Sequence, residues 1–340
     1  MIIGKSPGRA GIIGNPTDGY GGAMIACSIP YQATAILTPS SKLELKMGSK
    51  KTTIDWKNDL KLQDDCFDLA RAVLRYFSPV DLKARIEMKS DIPRQAGMAG
   101  STALLSAILS VILEAIDKNY SRYYFAELNR VIELRYMKTH CGYQDAYMTT
   151  FGGLNFLDFR GKEYYKKLKN EYYAAVEPLE APQLPFMLAH TGIKHHSGDY
   201  HKPIRERWLE GEKEVRKGYK EITNIAIRGK RALIEGNWEE LGILMNENHQ
   251  IQDSLSYSGE ENNKLIETAL DNGALGAKLA GAGGGGTIIV LTLNQEKTRK
   301  ALLAQGADQI IGLDPDACGI TVSKVDEKVR KETAVGEENS

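Results

Sequence analysis

Residues 278–290 read Lys278-Leu279-Ala280-Gly281-Ala282-Gly283-Gly284-Gly285-Gly286-Thr287-Ile288-Ile289-Val290, a glycine cluster between two apolar segments. Glycine loses more backbone freedom on folding than any other residue, so such a run is costly between strands unless the backbone must pass close to something. A flexible hairpin leaves that cost uncompensated. A ligand-contacting loop accounts for it better, so any fold for this chain must carry the segment to a site.

Two more glycine-rich segments precede it. In Asp91-Ile92-Pro93-Arg94-Gln95-Ala96-Gly97-Met98-Ala99-Gly100-Ser101-Thr102, small residues run straight into a helix bearing Leu104, Leu105, Ile108, Val111, Ile112 and Ala115. Unpaired N–H groups at a helix start, with the helix dipole behind them, favour a phosphate. Ser101 and Thr102 can cap that helix, contact phosphate or help bind a metal, and an ordinary capped helix explains this segment alone equally well. No Gly-Lys-Ser/Thr closes a P-loop here, and no strict GxGxxG dinucleotide pattern is present, which disfavours a dehydrogenase. The first segment runs Lys5-Ser6-Pro7-Gly8-Arg9-Ala10-Gly11-Ile12-Ile13-Gly14-Asn15-Pro16-Thr17-Asp18-Gly19-Tyr20-Gly21-Gly22, with a strand expected on either side. Arg9 supplies a fixed cation, Asn15 and Asp18 suit a polyol, and Asn-Pro-Thr-Asp-Gly by itself is simply a turn.

Around these segments, short apolar or alternating runs predict strands at 24–29, 34–37, 43–47, 82–88, 153–159, 186–191, 276–279 and 287–293. Helical periodicity covers 64–76, the stretch after Thr102, 125–138, 204–235, 238–255 and 260–272. A charged stretch at 160–183, followed by Pro185, divides the chain into domains 1–175 and 176–325, with a charged tail at 326–340 that reads as frayed from about 324. With 340 residues, two domains are expected. Forty-four basic residues balance forty-four acidic ones, so a basic surface for nucleic acid or an anionic membrane is not indicated. No apolar run is long enough for a secretory signal or a membrane span. The scattered Cys27, Cys66, Cys141 and Cys318 read as reduced thiols rather than a zinc site. A cytoplasmic protein is expected.

The three segments, in this order, resemble the three motifs of the GHMP kinases. The likeness covers nearly the whole chain through Pro7-Gly8-Arg9, 93–103, 278–286 and Met245-Asn246-Glu247-Asn248-His249 before the last motif. It implies an α+β fold of two domains, an N-terminal ribosomal-protein-S5-like domain and a C-terminal ferredoxin-like one. The implied reaction is ATP-dependent phosphoryl transfer to a hydroxyl of a small molecule. ATP would lie on Arg94, Gln95, Ala96, Gly97, Met98, Ala99, Gly100, Ser101 and Thr102. Cys141-Gly142-Tyr143-Gln144-Asp145 resembles the family's Gly-x-x-Asp stretch, which makes Asp145 the general base and Arg9 its partner; without the three motifs, a helix cap would be the better reading of Asp145. Substrate contacts would come from Arg9, Asn15, Asp18, Asp145, Gly281 and Gly283. Mg2+ would be held by Ser101 and Glu133, with Glu127 the alternative carboxylate.

Gly14-Asn15-Pro16 stands where many members have Gly-Glu-His, and Pro93-Arg94-Gln95 departs from Pro-x-Gly. Both departures look most like glucuronokinases, which points to a uronic acid phosphorylated on its anomeric oxygen. Another sugar, a polyol or mevalonate is the alternative within the fold, and a catalytically inactive ligand-binding protein the alternative outside enzymes. The presence of Arg9, Ser101 and Asp145 argues against the last. The loop 191–201, with His195, His196 and His201 beside Lys194, Lys202 and Arg205, reads as a cationic rim near substrate or nucleotide rather than a metal site. A monomer or homodimer is expected, acting on a sugar or sugar acid.

Overall fold

The computed structural model describes residues 1–56, 58–78, 82–162, 172–192, 197–255, 258–281 and 286–325, without the side chains of 197–203. Two sheets and nine α-helices are found among them. The larger sheet has the order β12-β1-β2-β5-β3-β4, with β6 and then β7 (Ala175–Pro178) extending from β2. Its spine is β1 (Ile2–Ile13) against β2 (Ala23–Pro39). The first half of β2 pairs with β6 (Leu154–Asp158) and the second with β5 (Ala84–Ser90), so one long strand carries two sets of neighbours. β3 (Glu44–Met47) runs parallel to β5 and antiparallel to the edge strand β4 (Lys50–Thr53). The smaller sheet is antiparallel, ordered β11 (Gln309–Ile311), β8 (Phe186–His190), β10 (Thr287–Leu291), β9 (Gly276–Leu279).

Strand alternation divides the smaller sheet's side chains between two cores. Leu188, Ile289, Leu291 and Ile311 join the main core, which also takes residues of β1, β2, α2 (Gly100–Ala115), α6 (Lys213–Glu235) and α7 (Trp238–Leu255). Met187, Ala189, Ile288 and Val290 face a second core beneath α8 (Glu260–Asp271) and α9 (Gln295–Ala304). Among the described residues no helix is long and apolar enough to cross a membrane.

Several elements differ from the periodicity reading. Pro7, Gly8 and Arg9 lie inside β1 rather than in a loop between strands, and the turn begins only at Gly14. The helix expected over 125–138 is α3 (Arg122–Val131) followed by a π-helical turn, Ile132–Tyr136. The helix expected over 204–235 is two, α5 (Ser197–Glu210) and α6, broken at Gly211, whose φ of 85° is left-handed. β12 (Thr321–Lys324) zips antiparallel onto β1, so Lys324 belongs to a sheet rather than a frayed end. The tail 326–340 lies outside the described residues.

Candidate active site

Arg9 points from β1 into the space between the second segment and α4 (Gln144–Phe151). Its Nε donates to Asp145 Oδ1 at 2.8 Å, its Nη2 donates to the same oxygen, and its Nη1 donates to the Gly97 carbonyl at 2.6 Å. The Arg9 side chain is 7% exposed and that of Asp145 34%. The cation is thus built into the scaffold, while the carboxylate stays open to an incoming group.

The second segment is held by its carbonyls. Ala96 O accepts from Thr287 Oγ1 at 2.7 Å, and Met98 O accepts from the Arg9 amide at 3.2 Å. In a trans peptide the C=O and the next N–H point in opposite directions. Carbonyls turned onto the scaffold at 96, 97 and 98 therefore turn the N–H groups of Gly97, Met98 and Ala99 away from it. Gln95, Gly97 and Ala99 all have positive φ, of 56°, 72° and 59°. Two non-glycine residues held left-handed is strain of the kind found at ligand-gripping loops. The first turn of α2 follows directly, with Ser101 exposed and Thr102 buried. Arg94 and Gln95 lie exposed at the loop's entry, and Gly100 is half-buried at the helix start.

The third segment closes on the second. A Cβ on Gly281 would lie 3.2 Å from the Gly97 carbonyl, so glycine there permits the approach of the two loops. Gly283 lies outside the described residues, as do 193–196 of the histidine-rich loop; Ser197 opens α5.

Asn15 and Asp18, expected to face substrate, are both engaged internally. Asn15 is 1% exposed and bonded to the third segment. Asp18 Oδ2 accepts from the amides of Tyr143 and Gln144 at 2.6 and 2.8 Å, capping α4 immediately before Asp145. Gly142 makes this possible, since a Cβ there would sit 1.9 Å from that oxygen.

Glu133 emerges from the π-helical turn, a distortion that often marks functional positions. It meets Thr102 rather than Ser101: Thr102 Oγ1 donates to Oε1 at 2.7 Å. Burial pushes its carboxyl up to about 7, with the Asp145 charge adding to the rise and the Thr102 hydrogen bond, Arg130 and Cys141 opposing it. Glu127 is committed elsewhere, paired with Lys162 at 2.9 Å and accepting from the Tyr147 hydroxyl. A carboxylate pushed up by desolvation beside a hydroxyl suits a cation that completes its shell on phosphate and water. Among the described residues no cluster of three acidic, histidine or cysteine side chains offers a fuller cage.

Sequence reasoning missed Lys278, Arg130 and Tyr143. Lys278 is fully buried inside an otherwise apolar strand, which was a visible signal. Arg130 stacks 3.7 Å over the Tyr143 ring, and its Nε donates to the Gly142 carbonyl at 3.0 Å, bracing the turn that leads to Asp145. Nothing in the local sequence marks that pairing.

The GHMP kinases N terminal domain model matches residues 66–153, and the GHMP kinases C terminal model matches 230–308. The chain is 28% identical to glucuronokinase 1 of Arabidopsis thaliana over 87% of its own length and 89% of that protein's. It is 25% identical to the mevalonate kinase of Pyrococcus furiosus over 87% and 90%. In fold it matches Lactococcus lactis galactokinase complexed with galactose, with a TM-score of 0.77 at 20% identity over 95% of each chain. With both family models matched in order and likeness over most of its length, the chain belongs to the GHMP kinases, ATP-dependent phosphotransferases with an alcohol group as acceptor.

Proposed function

We propose that this kinase transfers the γ-phosphate of ATP to the anomeric oxygen of a uronic acid such as glucuronate. The observation that carries the catalytic part is the Arg9–Asp145 pair, set against the Gly97 loop. Asp145 takes the proton of the attacking hydroxyl as general base. Arg9 aims the carboxylate by holding Oδ1, which leaves Oδ2 to receive that proton. The turned N–H groups of 97–99 and the first turn of α2 receive the phosphates. Ser101, Thr102 and Glu133 form the side on which Mg2+ would be held, and Glu127, already neutralised by Lys162, is not part of it. When bound, that ion offsets charge on the transferring phosphoryl group.

The substrate class rests on the likeness to a glucuronokinase and on Asn15-Pro16 and Gln95 at the two motif departures. Exposed Arg94 suits an acidic sugar. The Pyrococcus furiosus likeness favours mevalonate as the second reading. ADP release measured with glucuronate, galacturonate, glucose, galactose and mevalonate separates them. Uronic acids should be turned over fastest, with phosphorus NMR showing an anomeric phosphate. Faster turnover of mevalonate or galactose rejects the uronate assignment and leaves the kinase intact.

A further inference from the structure

Lys278 lies in the middle of β9 with no exposed surface, and burial pushes its ammonium down to about 7. Its Nζ donates to Asn15 Oδ1 at 2.7 Å and to the Leu279 carbonyl. Because an amine placed this way donates, Asn15 must turn its oxygen towards Lys278 and its amide nitrogen the other way. That nitrogen donates to the carbonyls of Leu279 and Gly281 at 3.2 and 3.3 Å. Gln252 of α7 adds a donor to the Gly281 carbonyl at 3.4 Å. Asn248 of the same helix accepts from the Gly14 amide at 2.8 Å, fixing the turn that bears Asn15. A flipped Asn15 amide would set its oxygen against two carbonyl oxygens and its NH2 against an amine. Lys278 therefore selects one orientation, and that orientation holds Gly281 where it packs on Gly97.

We infer that Lys278 is a positioning residue for the acceptor site, acting through the Asn15 side chain to hold the first and third glycine-rich segments together against Gly97. This rests on the kinase reading in which Gly281, packed on Gly97 beside the Arg9–Asp145 pair, borders the acceptor. Lys278 itself has no surface from which to touch a substrate.

The test is a double-mutant cycle of Lys278→Met and Asn15→Ala, read as acceptor kinetics with the acceptor that wild type turns over fastest. A wrong substrate class then changes the compound used and not the result. Lys278→Met should lower acceptor kcat/KM roughly tenfold, mainly through KM, with ATP KM within about threefold of wild type. The double variant should be no worse than Asn15→Ala alone, since both break one chain of contacts. Wild-type kinetics in Lys278→Met, or losses that simply add, overturn the inference. Asn15→Asp tests it without touching Lys278. It keeps a partner for the amine and removes the donor to Leu279 and Gly281, so it should fall as far as Asn15→Ala. Unimpaired acceptor kinetics in Asn15→Asp overturn the inference as well.

Discussion

Arg9 binds Asp145 through two nitrogens and the Gly97 carbonyl through a third, so one side chain joins the proposed base to the loop proposed to receive phosphate. Asp145→Asn keeps the size and one acceptor oxygen but cannot take a proton. It should lower kcat by about 10²–10⁴-fold while calorimetric affinity for a non-hydrolysable ATP analogue changes only a few-fold. If roughly half of wild-type kcat remained, Asp145 would be no more than a residue of the first turn of α4. Lys278 gives a pH signature. A lysine in the unfolded chain titrates near 10.5, and buried Lys278 at about 7. Between those values the unfolded chain holds the extra proton, so the native state gains stability as pH rises. His249, whose burial lowers it from 6.5, titrates below that window. Chemical denaturation between pH 7 and 9 should show wild type gaining on Lys278→Met by about 1 kcal/mol per pH unit; parallel curves would mean the lysine is charged in the native state. The pairing of Arg9 with Asp145 was readable only through the likeness of the three motifs, since Asp145 taken alone reads as a helix cap. The partners of Asn15 and Asp18 were not, since they lie 263 and 125 residues away and depend on how the sheets meet.

Helix α4 takes its N-terminal cap from the first glycine-rich segment, and Asp145 sits in its first turn. Removing that cap leaves two buried amides without a partner. Asp18→Ala should therefore lower unfolding free energy by about 1–3 kcal/mol, while Asp18→Asn, which keeps an acceptor oxygen, should recover most of it. Equal losses in the two variants would assign Asp18's role to charge rather than capping. The apolar helices and central strands were readable from their periods. Breaks were not: helix-forming residues flank Gly211 on both sides, and a π turn at 132–136 retains the apolar spacing of an ordinary helix. The short polar strands β4 and β12 carry no apolar alternation, because they lie at the ends of the main path of the sheet. Asn294, whose side chain accepts from the Lys297 amide, was a start signal for α9 that periodicity alone passed over.

Across the molecule the main core is continuous, running from β1, β2 and α2 through α6 and α7 to one face of the smaller sheet. Halves that share a core lose it together, so calorimetry should record a single unfolding transition with matching calorimetric and van't Hoff enthalpies. Two resolved transitions would show that the halves unfold independently. The same continuity explains why the candidate site falls where it does: its residues come from β1, from the start of α2 and from Gly281 just beyond β9, and only the joined sheets bring them together. Met1 and Val325 pair backbone to backbone, with the amide of Val325 2.9 Å from the Met1 carbonyl and the Met1 amine 3.2 Å from the Val325 carbonyl. Between these two residues the polypeptide is in effect a closed loop. Its linear order can be rotated, with a short linker bridging Val325 to Met1 and a new opening at the exposed Gly48 turn of the β3–β4 hairpin, without separating Arg9 from Asp145 or Gly97 from Gly281.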